Sequence, residues 1–210
     1  MTVRLSYFNM TGLGEPIRLL LSYGNIKFED RRVSKEDWPE MKRGMRWNQL
    51  PKLEIEGREL SQSKTICRYL AKKLNLCGKN EWDATYCDMM VDMLDDFRSR
   101  IVTVYYTPDS EQREKELEKL RLDFVPTALA KFEEQVAENG GFFVGGKLTW
   151  PDIVFLAFTD YAGQMLKCDV VSNFPKLSAL CNYVMSQPGI SRYFKTRPPQ
   201  PEDMRKIFAY

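Results

Sequence analysis

The sequence contains no histidine, and this absence removes a large part of enzyme chemistry from consideration. Without an imidazole there can be no Ser-His-Asp triad, no Cys-His nucleophile pair and no histidine ligand for a metal ion. Any reaction must therefore use tyrosine, cysteine, lysine, arginine, a carboxylate, or a nucleophile that a substrate brings with it. Most hydrolase mechanisms are excluded on this ground.

Signals of several other protein classes are also missing. The net charge at pH 7 is only +2, so overall charge favours neither a nucleic acid nor a membrane surface as a partner. No hydrophobic run approaches the length of a membrane span, and the first residues lack the apolar core of a signal peptide. The five cysteines contain no C-x-x-C pair. We therefore expect a cytoplasmic protein with reduced thiols, mostly packed as small hydrophobic side chains.

The chain is long enough for two modest domains, because it has 210 residues of which 43% are hydrophobic. Residues 1–79 alternate strand and helix patterns in the order β-α-β-α-β-β-α, from a strand at residues 3–8 to a helix at residues 64–73. This order is typical of a small α/β domain with a central sheet and flanking helices.

Strand patterns end near residue 79, and the remaining chain shows helical periodicity. The predicted helices cover residues 85–106, residues 111–138, the residues from Thr149 onward, and, as the last helix, residues 175–187. Pro126 should bend or restart the second of them, because proline cannot donate the next helical hydrogen bond. Residues 197–201 are predicted to be extended or turn-like, because they are rich in proline.

The first long helix carries a methionine stripe and an acidic group. The methionines Met89, Met90 and Met93 are interpreted as core side chains. The acids, on the opposite face, are Asp92, Asp95 and Asp96. A solvated acidic face is the simpler interpretation, with a divalent cation or an ammonium group as the alternative ligand.

The strongest sign of a ligand site lies in residues 47–66. Pro51 stands directly before a predicted strand and marks a fixed turn, with either a trans or a cis peptide bond. Gln62 and Ser63 then open a helix. A strand edge beside a helix N-terminus can pair with a peptide backbone and attract a carboxylate. The segment therefore predicts a site for a small anionic peptide.

Tyr7 ends the first strand just before a glycine-containing loop. A phenol, whose pKa is about 10, is suited to donate a hydrogen bond to an anion, and one such bond can favour a bound thiolate. A tyrosine packed in the core is the alternative. The loop has no cysteine pair for disulfide exchange, and Gly12 and Gly14 do not complete a dinucleotide fingerprint because the third position is Ile17.

Trp38 and Lys42 lie four residues apart on a short predicted helix and so share a face. An indole N–H and an ammonium group placed together could hold a carboxylate. A packed tryptophan beside a solvated lysine is the alternative interpretation.

Taken together, these residues resemble the cytosolic glutathione S-transferases, most closely the sigma class, which includes glutathione-dependent prostaglandin D synthases. The motifs run in order through nearly the whole chain: Y-F-N-M at 7–10, G-E-P-I-R at 14–18, D-W-P-E at 37–40, L-P at 50–51, Q-S at 62–63, D-M-L-D-D-F at 92–97 and L-T-W-P-D at 148–152. The resemblance implies a thioredoxin-like domain over residues 1–79, an all-α domain over residues 80–210, and a homodimer. It also implies glutathione as co-substrate and no metal.

The resemblance also implies a set of glutathione-binding residues, in which Tyr7 activates the thiol. Those that hold the peptide are Trp38 and Lys42 at the glycine carboxylate, Gln49, Leu50 and Pro51 at the cysteinyl backbone, and Gln62 and Ser63 at the γ-glutamyl carboxylate. Asp96 of the partner subunit reaches the γ-glutamyl ammonium group.

The electrophile site implied by the resemblance is lined by Phe8, Leu13, Arg98, Thr103, Phe158 and Tyr161. Prostaglandin synthases of this class carry an arginine where this chain has Leu13 and a tryptophan where it has Thr103. Both departures weaken the expectation of isomerase activity, and Arg98 is the suggested replacement for the missing cation. In the tail, Phe208 or Tyr210 either covers the pocket or simply packs.

The predicted function is therefore a glutathione transferase that conjugates small hydrophobic electrophiles or reduces lipid hydroperoxides in detoxification. A prostaglandin-type isomerase and a non-enzymatic structural or ligand-carrying relative are the alternatives. Neither a nucleic acid nor a membrane is expected as a partner.

Overall fold

The computed structural model describes residues 2–207. They form two compact units, the first comprising the residues up to Leu74 together with those from Gln187 onward, and the second comprising Asn75–Ser186. The division into residues 1–79 and 80–210 stays a prediction. What the structure adds is that residues 187–207 pack with the first unit.

The first unit is built on a four-stranded sheet. Its strands are β1 (Val3–Phe8), β2 (Phe28–Val33), β3 (Lys52–Ile55) and β4 (Arg58–Ser61), and its helices before residue 74 are α1 (Glu15–Tyr23), α2 (Trp38–Arg43) and α3 (Ser63–Lys73). The spatial order is β2-β1-β3-β4, with β1 and β2 parallel and the other pairs antiparallel. The predicted β-α-β-α-β-β-α order is confirmed.

The second unit is helical. Its helices are α4 (Glu81–Tyr105), α5 (Ser110–Lys119), α6 (Val125–Glu138), α7 (Trp150–Leu166) and α8 (Pro175–Met185). A π-helical turn, Leu120–Phe124, joins α5 to α6. Proline at position 126 lacks the N–H of a regular helix, so the change of hydrogen-bond register here confirms the predicted restart.

The predicted helix over about residues 175–187 is present, but the prediction that it is the last helix is wrong. Helix α8 ends at Met185, and a further helix, α9, spans Pro188–Thr196. Gln187 is extended (φ −60°, ψ 130°), and Pro188 then starts a new helix at the position where proline is most favourable. The chain is extended again at Arg197 (ψ 145°), as predicted. A 3₁₀ turn follows at Met204–Ile207, and the expectation for Phe208 and Tyr210 lies outside the described residues.

The interpretation of the methionine stripe is also wrong in part. Met90 is buried, at 3% exposure, whereas Met89 and Met93 are 44% and 51% exposed. A helix places positions 89, 93 and 96 on one face, so Asp96 lies beside the two exposed methionines rather than opposite them. Among residues 2–207, no helix has the length and apolar character needed to cross a membrane.

Gly189 marks a close approach between α9 and α1. A Cβ atom at this position would stand 1.9 Å from the carbonyl oxygen of Ser22. Gly189→Ala is therefore expected to lower the free energy of unfolding by about 1–3 kcal/mol, because backbone must move to admit the methyl group. Chemical denaturation measures this effect. Gly44→Ala is the control, since the nearest atom there is 3.6 Å away, and equal stability of the two variants would contradict the predicted clash.

Candidate functional site

Tyr7 lies at the end of β1 with a side chain that is only 6% exposed. Its hydroxyl oxygen accepts a hydrogen bond from the backbone N–H of Leu13 at 3.0 Å. A hydroxyl that accepts such a bond keeps its own hydrogen for donation, and the accepted bond polarises the O–H group further. The local geometry therefore suits Tyr7 to stabilise an anion.

The two glycines of the loop after β1 allow this geometry. A Cβ atom at Gly12 would lie 2.7 Å from the Tyr7 hydroxyl oxygen, and one at Gly14 would lie 2.4 Å from the Tyr7 ring. Gly12 also has a φ of +42°, which side chains rarely adopt. The glycine pair that fails as a dinucleotide fingerprint thus serves to bring the loop close to Tyr7.

Trp38 and Lys42 lie on one face of α2, as predicted, and close to the strand that carries Tyr7. The Trp38 ring meets the Phe8 ring edge-on at a centroid distance of 5.4 Å, and the Lys42 ammonium lies 5.9 Å from the Trp38 ring centroid. Trp38 is half-buried, whereas Lys42 is exposed. This pair presents one ammonium group and one indole at the surface of the first unit.

The segment from Gln49 to Ser63 contains the residues predicted to form the peptide cradle. The peptide bond between Leu50 and Pro51 is cis. The Gln62 side-chain amide donates to the Gln49 side-chain oxygen at 3.1 Å. These residues are therefore brought together at the start of α3.

Gln62 has an unusual backbone, with φ 71° and ψ 109°. A residue other than glycine in the left-handed region costs about 1–3 kcal/mol, and such strain concentrates at ligand sites. Ser63 begins α3 directly afterwards, and the first N–H groups of a helix have no partner within it. These N–H groups, together with the helix dipole, attract a carboxylate.

The predicted electrophile residues are divided between the two units. Phe8 is buried and Leu13 half-buried, both next to Tyr7 in the first unit. The residues in the second unit are Arg98 and Thr103 on α4, and Phe158 and Tyr161 on α7. The Arg98 guanidinium group is bound by the Asp95 carboxylate, at 2.9 Å from Nε and 2.7 Å from Nη2.

Burial distinguishes the members of this second set. Phe158 and Tyr161 are each only 4% exposed, and the Phe158 ring packs on Phe97 at a centroid distance of 5.1 Å. Thr103 is exposed, and its hydroxyl donates to the carbonyl of Ser99 at 2.8 Å. Thr103 is thus more accessible than Phe158 and Tyr161.

Asp96 lies on the exposed face of α4, beside a cleft of about 810 Å³ within the second unit. The residues that line this cleft with Asp96 include Met89, Met93, Phe124, Ala128 and Lys131. Among residues 2–207, no three histidine, cysteine, aspartate or glutamate side chains are arranged to hold a metal ion.

Sequence reasoning missed a buried pair of charges on α1. Glu15 and Arg18 are both 0% exposed, with 3.1 Å between the Glu15 carboxylate and the Arg18 guanidinium nitrogen Nη1. The available signal was a charged pair at i, i+3 directly before the apolar run of Leu19, Leu20 and Leu21. A charge on the apolar side of a short helix needs a buried partner, and that need points to a structural role.

Comparison with known proteins decides the family. Residues 3–72 match the model of the glutathione S-transferase N-terminal domain, and residues 95–197 match that of the C-terminal domain. The chain belongs to the glutathione S-transferase family. Its resemblance to this family, inferred from the motifs, is confirmed.

Individual relatives agree with the glutathione S-transferase family. The chain is 39% identical over 194 residues to glutathione S-transferase S1 of Drosophila melanogaster, covering 92% of this chain and 78% of the relative. The solved structure of prostaglandin synthase D of Nilaparvata lugens has a TM-score of 0.89 and 38% identity, covering 95% and 100% of the two chains. A sigma class transferase of Fasciola hepatica has a TM-score of 0.86 and 25% identity, covering 95% and 98%.

Membership of the glutathione S-transferase family establishes the main features of this protein. It is an enzyme with a thioredoxin-like N-terminal domain and a helical C-terminal domain, and it uses glutathione as co-substrate. The roles assigned to single residues stay predictions.

Proposed function

We propose that the enzyme activates the thiol of glutathione through Tyr7 and conjugates the thiolate to small hydrophobic electrophiles in the cytoplasm. The observation that carries this proposal is the 3.0 Å hydrogen bond from the Leu13 N–H to the Tyr7 hydroxyl oxygen. It orients the phenol so that its hydrogen can be donated to a sulfur atom. An ordinary thiol has a pKa of about 8.5, and each unit by which this pKa falls corresponds to about 1.4 kcal/mol.

The peptide part of glutathione would be held by the cradle described above. The N-terminus of α3, with Gln62 and Ser63, suits the γ-glutamyl carboxylate, and the backbone of Leu50 suits the cysteinyl amide. The Lys42 ammonium and the Trp38 indole suit the glycine carboxylate. Binding at three points along the peptide fixes the sulfur atom near Tyr7.

Two reactions follow from a positioned thiolate. With an aryl halide or an unsaturated carbonyl, the sulfur forms a bond to carbon, and either halide leaves or a proton is added at the neighbouring carbon. With a lipid hydroperoxide, the thiolate attacks the outer oxygen and the O–O bond breaks, which gives the sulfenic acid of glutathione and an alkoxide that takes up a proton and leaves as an alcohol. The thiol of a second glutathione then attacks the sulfenic sulfur, which gives glutathione disulfide and water.

The direct test combines calorimetric titration with glutathione and conjugation of an activated aryl halide by the wild-type protein. Saturable binding and turnover are expected. A protein that neither bound glutathione nor turned over any electrophile would instead be a non-enzymatic relative. Prostaglandin isomerisation, favoured by the likeness to the Nilaparvata lugens synthase, is tested in parallel with an endoperoxide substrate.

The exposed apolar side chains support a homodimer. Met89 and Met93 are 44% and 51% exposed, and both line the cleft beside Asp96. Large apolar side chains grouped at a surface are typical of protein–protein interfaces, where aromatic residues and methionine are enriched. A second copy that covered the cleft would carry Asp96 of the partner subunit towards the γ-glutamyl ammonium group.

Sedimentation analysis of Met93→Asp tests this assembly. The wild type is expected to be a dimer, and the variant a monomer with a raised KM for glutathione, because a buried carboxylate would stand in the apolar interface. Leu122→Asp is the control, since Leu122 is 73% exposed on the π-helical turn. A monomeric wild type, or a dimeric Met93→Asp, would contradict the proposed interface.

A further inference from the structure

The loop that follows Tyr7 rests on a buried cation. The Arg18 guanidinium group donates from Nη1 to the carbonyl of Met10 at 2.8 Å and from Nη2 to that of Phe8 at 3.4 Å. It also binds Glu15 at 3.1 Å and Asp30 at 2.9 Å. One side chain thus holds the backbone on both sides of Asn9, directly after Tyr7.

The same guanidinium group lies near the tyrosine ring itself. Its central carbon is 5.8 Å from the centroid of the Tyr7 ring, within the range of a cation–π contact. Arg18 is 0% exposed, so its conformation is fixed by packing as well as by hydrogen bonds. A displacement of Arg18 would therefore move both the ring and the loop.

The last helix, α9, is attached to this cation through one carboxylate. Glu15 Oε2, which binds Arg18, also accepts from the Tyr193 hydroxyl at 3.0 Å. Glu15 Oε1 accepts from Arg197 at 2.8 Å. Burial, together with the negative charge of Glu15, raises the pKa of Tyr193 well above its usual range, so this hydroxyl remains a donor.

The buried charges of Arg18, Glu15 and Asp30 stabilise one another only when each has its partners. A buried ion whose partner is removed costs several kcal/mol, and hydrogen-bonded charges in a protein interior reinforce one another. Arg32 adds a further cation by binding Asp30 at 2.9 Å and the Asn9 side chain at 2.9 Å. Loss of the Tyr193 hydroxyl would therefore remove a hydrogen bond that orients the Glu15 carboxylate, and would weaken the contact between Glu15 and Arg18.

We infer that Arg18 is a positioning residue for thiol activation, and that α9 holds it in place through hydrogen bonds from Tyr193 and Arg197 to Glu15. This inference rests on the proposed function, because it concerns how Tyr7 is aimed at the sulfur. Arg18 does not touch glutathione in this scheme; it fixes the phenol and the Phe8–Met10 backbone. Helix α9 thereby becomes part of the support of the active site.

Tyr193→Phe is the sharpest variant, because it removes one hydroxyl and leaves the packing of the ring. We expect kcat for aryl halide conjugation to fall about 3- to 10-fold, the usual effect of one lost hydrogen bond. Arg18→Lys keeps the charge but loses the fork that reaches both carbonyls, and kcat should fall roughly 10-fold or more. KM for glutathione should change by less than about 2-fold, since Lys42, Gln62 and Ser63 are unaltered.

Tyr69→Phe is the matched control. Tyr69 also donates its hydroxyl to a glutamate, Glu56, at 3.3 Å, but this pair is exposed. The control variant should keep the wild-type kcat. The apparent pKa of the bound glutathione thiol, followed by the ultraviolet absorbance of the thiolate, should rise in Tyr193→Phe and Arg18→Lys and stay constant in Tyr69→Phe.

The possible failures are distinct. If the wild type neither binds glutathione nor forms the thiolate, the proposed function falls and this inference falls with it. If the wild type is active and both variants keep its kcat and thiol pKa, only the positioning role is wrong. A loss of kcat that merely equals the unfolded fraction seen by circular dichroism would also overturn it.

Discussion

Replacing Tyr7 by phenylalanine is expected to lower kcat/KM for the conjugation of an activated aryl halide by about 10- to 100-fold. The phenol donates one hydrogen bond to a charged sulfur, and such a bond contributes about 1.5–3 kcal/mol. The apparent pKa of the bound thiol should rise by about one to two units for the same reason. A pH–rate profile and an ultraviolet titration of the thiolate measure the two effects separately.

Tyr23→Phe provides the control for this experiment. Tyr23 ends α1, at the other end of the helix from the Tyr7 loop. Both variants should remain folded and should bind glutathione with an affinity close to that of the wild type. Unchanged turnover in Tyr7→Phe would assign activation to another group, while leaving the family assignment intact.

Asp152→Ala is expected to lower the free energy of unfolding more than the other substitutions proposed for this protein. Asp152 is 0% exposed, and its carboxylate accepts from the N–H of Phe143 at 2.9 Å, the N–H of Thr149 at 2.6 Å and the Thr149 hydroxyl at 2.9 Å. The alanine variant leaves all three donors buried without this acceptor. The free energy of unfolding should fall by about 3–5 kcal/mol, as measured by chemical denaturation at pH 7.

Asp169→Ala is the matched control, because Asp169 accepts from one N–H, that of Val171 at 3.1 Å, and is exposed. The Asp169→Ala substitution should lower the free energy of unfolding by no more than about 1 kcal/mol. Equal effects of the two substitutions would show that the buried cap contributes little to the stability of the second unit.

The effect of Asp152→Ala should also depend on pH. Burial raises the pKa of Asp152 from 3.8 to about 6, with partial compensation from its hydrogen bonds. The folded state therefore takes up a proton at a higher pH than the unfolded state, and this group contributes less stability as the pH rises through 6. The stability advantage of the wild type over Asp152→Ala should grow between pH 7 and pH 4. The growth is at most about 3 kcal/mol.

The sequence predicts much of the fold because the local signals agree with one another. The hairpin of β3 and β4 follows from two short β-rich runs around Glu56 and Gly57, whose φ values of 54° and 74° suit a tight turn. The buried cap of α7 follows from Thr149 and Asp152 at the spacing of a capping box. Such features depend on residues that are near in sequence.

The features that escaped prediction depend on contacts between distant residues. Helix α9 packs on α1 through Gly189 and Ser22, and nothing near Pro188 indicates this contact. The exposure of Met89 and Met93 depends on which side of α4 the other helices cover. Periodicity finds an apolar face but does not say whether a protein interior or a second molecule covers it.

The candidate site, like the fold, has some features that the sequence predicts and others that depend on the three-dimensional structure. The pattern of residues 47–66 predicted a small anionic peptide, while Trp38 and Lys42 suggested a carboxylate and Tyr7 a thiolate. The left-handed backbone of Gln62 and the buried contacts of Arg18 were visible only in three dimensions. Residue identities therefore indicate which ligand is bound, whereas the precision with which it is held depends on the fold.

The return of α9 to the first unit has a consequence for how the protein matures during synthesis. Domains generally fold from the N-terminus as the chain leaves the ribosome. The first strands and helices of this chain emerge early, but Glu15 cannot meet Tyr193 and Arg197 until the 178 and 182 residues that separate it from them have been made. An early segment of the enzyme is thus completed by a much later one, and a nascent chain truncated before α9 would carry Tyr7 without the hydrogen bonds from Tyr193 and Arg197 to Glu15.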